Sequence, residues 1–120
     1  MNQNLKNLLS QLNKTAELIE FNQVMEVIDE NYRYTPTFFS NGTGESVAIN
    51  EAGTNEGSCK IFAFAKLHSL SEGQTLQCFG GYYRDDVLKH PDAQDHGNIR
   101  NFMKTGWAGL KFSTLPLEPI

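Results

Sequence analysis

Leucines at positions 5, 8, 9 and 12 recur at helical spacing, so residues 3–13 read as a short amphipathic helix. Thr15 and Glu17 mark a break and a new start. Phe21, Val24, Met25, Ile28 and Tyr32 then repeat on one face, which predicts a second helix over about residues 20–31. Helical spacing ends at Tyr32–Phe39. The run Tyr34-Thr35-Pro36-Thr37-Phe38-Phe39 is β-branched and aromatic, and its proline excludes a helix interior. Asn41-Gly42 is a turn signal, and Val47–Asn50 returns as a second short strand. The proline places the first strand of this hairpin at a sheet edge.

Asn50 to Gly57 is a polar loop, and Ser58 offers a helix cap. Cys59–Leu70 is apolar on nearly every side, with Ile61, Phe62, Phe64, Leu67 and Leu70 among small alanines. Such a run fits a buried helix or a buried strand, and its length favours a helix at the centre of the core. Ser71 and Gln74 form a capping box for a following helix, Gln74–Lys89, with Leu76, Phe79, Tyr83 and Val87 on one face. Gly80 and Gly81 fall inside it, each less favourable than alanine by about 1 kcal/mol. Close approach of a neighbouring backbone is the expected compensation, with Ala63–Ala65 of an antiparallel partner helix opposite. Pro91 stops the helix, and Asp92–Gly97 is a polar loop. A last helix over about residues 98–105 presents Ile99, Phe102 and Met103 and ends at Gly106. Gly109–Phe112 reads as a short strand, and Pro116 and Pro119 mark a loose tail. The expectation is a helix-dominated α+β domain spanning residues 1–120, with about five helices and a small antiparallel β-hairpin. Phe62, Phe64, Phe79, Tyr83, Phe102 and Trp107 should share one core.

Composition narrows the function classes. Apolar residues make up 39% and charged residues 20%, which suits a folded core rather than disorder. The net charge of −4 and the lack of a basic run argue against nucleic acid as a partner. No apolar stretch is long enough for a bilayer span, and no apolar region follows Lys6 to make a signal peptide. The expected location is therefore the cytoplasm. Two cysteines make no disulfide framework, and the helix-hairpin geometry offsets Cys59 from Cys78, so both should be free thiols.

Four pieces of sequence together resemble a known family. They are Tyr34-Thr35-Pro36-Thr37 with Asn41-Gly42; Asn50, Ala52-Gly53 and Asn55 through Ala65; Phe79-Gly80-Gly81-Tyr82-Tyr83-Arg84 with His90-Pro91; and Asp95 through Met103 with Gly106-Trp107. In this combination the chain resembles the HopJ type III effector family, from the second helix onward. The resemblance implies a bacterial protein, a shared fold and an association with type III secretion. It implies no established reaction, cofactor or catalytic residue. The first fifteen residues are rich in Asn, Gln and Leu and contain no acidic residue. That composition suits a secretion signal, and it suits equally an amphipathic helix packed on the core.

Candidate chemistry gathers around a few residues. Cys59 at a helix N-terminus would have a lowered thiol pKa, with His96 as the only histidine able to serve it as a base; a small buried packing residue is the competing explanation. His90, Asp92, Asp95 and His96 are close in sequence, but their spacing matches no standard zinc pattern. Helix-end and turn roles account for them, Asp95 as a cap for the last helix, so no metal and no cofactor is expected. Asn55, Ser58, Cys59, Arg84, His96 and Arg100 form the candidate ligand pocket, against the alternative of a structural network satisfying loop backbone. The favoured function is an effector that acts through a protein partner rather than by catalysis. The alternative is a small-molecule-binding protein or enzyme using a polar pocket around Cys59, Arg84 and His96.

Overall fold

The computed structural model describes residues 3–120. Its first helix, α1 (Gln3–Lys14), buries Leu5, Leu8 and Leu12, the stripe that the leucine spacing predicts. A 3-10 turn at Ala16–Leu18 leads into α2 (Phe21–Asn31), which buries Val24, Val27 and Ile28. β1 (Tyr32–Tyr34) follows without a break. Pro36 then lies between β1 and β2 (Phe39–Asn41) instead of inside a strand.

That separation corrects the expected sheet edge. With no proline in its ladder, β2 is the central strand of three. It pairs antiparallel with β3 (Ala48–Asn50), placing Asn41 opposite Ala48, and with β4 (Leu110–Phe112), placing Asn41 opposite Leu110. The expected hairpin is therefore one half of this sheet. The C-terminal tail is also not loose. β5 (Leu117–Pro119) pairs with β1, and the Pro116 carbonyl accepts from the Thr35 N–H at 2.8 Å.

The apolar run after the polar loop forms a helix, α3 (Glu56–Leu67), at the centre of the core. Cys59, Ile61, Phe62, Ala63, Phe64 and Ala65 are all buried. Phe62 is surrounded by Phe39, Phe79 and Phe102, with ring centroids 6.3, 5.5 and 5.0 Å away. Aromatic packing of this kind adds to the area term of burial. Tyr83 and Trp107 pack on the same core and stay partly exposed. The helix begins one turn earlier than expected. Asn55, left-handed at φ 50°, precedes it, so Ser58 lies inside the first turn and is not the cap.

α4 (Glu72–Gln77) starts at the expected capping box: the Gln74 N–H donates to Ser71 Oγ at 3.0 Å, and the Ser71 N–H donates to Gln74 Oε1 at 2.9 Å. It does not continue to Lys89. The chain breaks at Gly80, at φ +59°, and resumes as a π-helical turn over Tyr82–Val87. In that turn the Leu88 N–H reaches back five residues to the Tyr83 carbonyl at 3.0 Å. The cause is a close backbone approach, but not from Ala63–Ala65. A Cβ on Gly80 would stand 2.6 Å from the Phe21 nitrogen at the start of α2. The last helix, α5 (Gly97–Thr105), ends at Gly106, at φ +56°. His96, at φ 52°, holds its N-cap position, so Asp95 lies outside the helix and does not cap it.

Candidate functional site

α3 and α5 begin alike. Each is entered through a left-handed residue, Asn55 or His96, and neither N-terminus is closed by a side-chain cap. The first N–H groups of a helix have no intrahelical acceptor, and the helix dipole makes that end electropositive. Both ends open on one cleft of about 500 Å³. Asn55, Gly57 and Ser58 line it from α3, and His96, Gly97, Asn98 and Ile99 line it from α5. The sides are aromatic. Phe21 and Tyr82 meet edge to face with centroids 5.0 Å apart, and the Tyr82 ring is 5.2 Å from that of His96.

Asparagines hold the two helix ends against the sheet. Asn50 of β3 and Asn98 of α5 exchange amide hydrogen bonds, with Asn98 Nδ2 donating at 2.9 Å and Asn50 Nδ2 at 3.2 Å. Asn55 Nδ2 donates to the same Asn50 oxygen at 2.7 Å. Asn41 Nδ2 donates to the Asn98 carbonyl at 2.8 Å, and Asn101 Nδ2 donates to the Asn41 carbonyl at 2.9 Å. Asn41, Asn50 and Asn98 are buried. A buried amide left unpaired costs about 1–3 kcal/mol, so these bonds hold the cleft floor together, while Asn41 Oδ1 stays without a partner.

Of the six residues expected in a pocket, Asn55, Ser58 and His96 line this cleft, and Cys59, Arg84 and Arg100 do not. Cys59 is only 1% exposed. Burial pushes its thiol up to about 11, and the Glu56 charge adds to the rise. This corrects the expectation of a lowered thiol. Cys59 lies a turn inside the helix, and desolvation outweighs the dipole there. Cys78 is likewise buried and pushed up to about 12, and both cysteines are free thiols. Arg84 donates to Gln77 Oε1 at 2.7 Å and to the Ile19 carbonyl, tying the end of α4 to the turn before α2. Arg100 donates to the carbonyls of His90, Pro91 and Asp95 and to the Asp95 carboxylate at 2.7 Å. That contact holds the Asp95 carboxyl below its usual range. Both arginines thus brace loops.

His90 and Asp92 take no part in the titratable cluster that forms. Asp95 and His96 meet Asp86 of the π-helical turn instead, with His96 Nε2 at 3.0 Å from Asp86 Oδ2 and 3.7 Å from Asp95 Oδ2. Asn50, Asn98, Phe21 and Tyr82 were not anticipated from the sequence. Only the asparagines left a signal, an excess of that residue near turn glycines, as at Asn41-Gly42 and Gly97-Asn98, which reads as turn chemistry until the contacts are seen.

The family model for HopJ type III effector protein matches residues 5–117. The chain is similar to the crystal structure of the unknown function protein VPA0580, with a TM-score of 0.93 and 48% identity over 100% of this chain and 97% of that one. No curated protein matches. Among the described residues no helix is long and apolar enough to cross a membrane.

Proposed function

We propose that this chain, which belongs to the HopJ family, binds a small molecule carrying an acidic group in the cleft between α3 and α5. The observation that carries this reading is the convergence of two uncapped helix N-termini on one concave site. A carboxylate or phosphate there would accept from free backbone N–H groups and gain from both dipoles. The Ser58 hydroxyl lies on the same wall, and the rings of Phe21 and Tyr82 suit an apolar body beside the acidic group. Binding, and not catalysis, is what the groups support: Cys59 is an inert buried thiol and does not line the cleft. The test is thermal shift of the full chain with a panel of small carboxylates and phosphate monoesters and their uncharged analogues. Specific acidic compounds should raise Tm, and Ser58→Glu, which adds a like charge to the cleft, should remove the shift. Equal shifts from the uncharged analogues would sink the reading.

A second reading, an effector with a protein partner, draws support from the family description and from an apolar groove of about 390 Å³. Leu88 and Met103 line that groove and are 48% and 44% exposed. Export of the chain by a type III-competent strain, lost on deletion of residues 1–15, is the corresponding test.

A further inference from the structure

Asp86, Asp95 and His96 come from two separate stretches of chain, the π-helical turn and the loop before α5. Their nearest donor atoms lie within 4.8 Å of one another. We infer that these three side chains hold a divalent transition-metal ion at the rim of the cleft.

Donors about 2.0–2.1 Å from a tetrahedral ion lie about 3.3 Å from each other. The observed separations of 3.0 Å and 3.7 Å from His96 Nε2 bracket that value. An imidazole nitrogen carries one hydrogen at most, so Nε2 can satisfy one carboxylate but not both. With the proton on Nδ1, the Nε2 lone pair and both carboxylates become ligands to one cation.

The two Asp95 oxygens are divided: Oδ1 accepts from Arg100 at 2.7 Å, while Oδ2 faces His96. Arg100 is itself anchored on three backbone carbonyls, so it fixes the carboxylate as outer-shell partners fix metal ligands. Asp86 stands on a π-helical turn, a local insertion found often at functional sites because it redirects side chains. Finally, the place is open. His96 lines the cleft between α3 and α5, and Asp86 lines a neighbouring one of about 320 Å³ with Glu20, Asp85 and Tyr82. Three protein ligands beside open space leave a position for water or for a ligand's acidic group. One imidazole with two carboxylates suits an ion such as Zn²⁺ or Co²⁺.

This assignment stands apart from acidic-ligand binding in the cleft. The test is calorimetric titration of Zn²⁺ into the chelator-stripped full chain, with the visible spectrum of Co²⁺ as a second readout. One ion per chain is expected. Asp86→Asn and His96→Asn should each abolish binding with the circular dichroism unchanged, and Arg100→Gln should weaken it about tenfold. His90→Ala and Asp92→Asn, in the same loop but outside the triad, should bind as the parent does. No binding at millimolar Zn²⁺ overturns the assignment. So does binding that survives Asp86→Asn or is lost with His90→Ala. Thermal shifts by acidic ligands, repeated in excess chelator, report the cleft alone and so separate the two readings.

Discussion

α3 and the segment Glu72–Val87 look alike as patterns. Both carry apolar residues at helical spacing, and both contain a buried cysteine. One is a regular twelve-residue helix buried on nearly all sides. The other stops after six residues, crosses a left-handed glycine and finishes as a π-helical turn. The difference lies in the neighbours. Side chains surround α3, and they adapt to a cylinder. The backbone at Glu20–Phe21 abuts Gly80, and a backbone cannot move aside. The broken segment then supplies what the regular one cannot. Phe79 and Tyr82 reach the cleft, and Asp86 reaches His96. From α3 the site takes mainly the helix end.

The contrast can be broken most forcefully at Phe62. Phe62→Ala should destabilise the fold by about 4 kcal/mol, read by denaturant melts, because the ring packs against three other phenylalanines. A loss below about 1 kcal/mol would mean that α3 is not the centre of the core. Gly80→Ala tests the broken segment. Left-handed backbone disfavours a Cβ by about 1 kcal/mol, and overpacking against the Phe21 nitrogen adds about 2 kcal/mol. A stabilised Gly80→Ala variant would restore the continuous helix.

Asn98→Ala should cost about 2 kcal/mol, since it removes the side-chain partner of the Asn50 amide and one of the two acceptors of Asn41 Nδ2 in a buried site. It should also abolish the thermal shift by acidic ligands. Gly81 offers the smallest stability change. Its backbone is helical, at φ −62°, and a Cβ would meet only the movable end of Asp85 at 3.3 Å. Gly81→Ala should therefore raise stability by about 0.5 kcal/mol. A loss as large as that of Gly80→Ala would show that both glycines are clamped.

The thiols should show no reaction at all in the folded state. Both are raised by burial, to about 11 for Cys59 and about 12 for Cys78. At about pH 8 each is a protonated thiol in the fold, while an unfolded cysteine, near its ordinary pKa of about 8.5, ionises and reacts. The folded state holds these protons to higher pH than the unfolded chain, so the stability they contribute is present at neutral pH and falls as pH rises from about 8.5. Disulfide-exchange labelling should count no thiol in native protein and two on unfolding. A rapidly labelled native Cys59 would return it to the list of nucleophiles.

Helix existence was legible where apolar spacing is strict, as in α1, α2 and α5. The box Ser71–Gln74 was legible because its two hydrogen bonds are local. The ends of α3 and α5 were less so. Asn55 and His96 take left-handed backbone without a side-chain cap; both residue types tolerate that region, but residue type alone does not place it at a helix start. Asn55, Ser58 and His96, chosen for their polarity and their placement near helix starts, line the cleft. Arg84 was assigned to the pocket as level with Cys59 in a helix hairpin and Arg100 as a neighbour of His96, yet they donate to loop carbonyls. A guanidinium's partner depends on which backbone lies beside it after folding.

By itself the sequence determined the α+β class, the apolar run that makes α3 the centre, and the placing of Asn55, Ser58 and His96 near helix starts. These follow from period and residue type, which act over a few neighbouring residues. Only the tertiary structure decided that β2 sits between β3 and β4, that the tail pairs with β1, that the chain turns at Gly80, and that Asp86 meets His96. Each of these joins residues far apart in the chain or forced by a backbone packed from elsewhere. No local pattern carries that information, because the energy concerned arises between surfaces that meet only when the chain is folded.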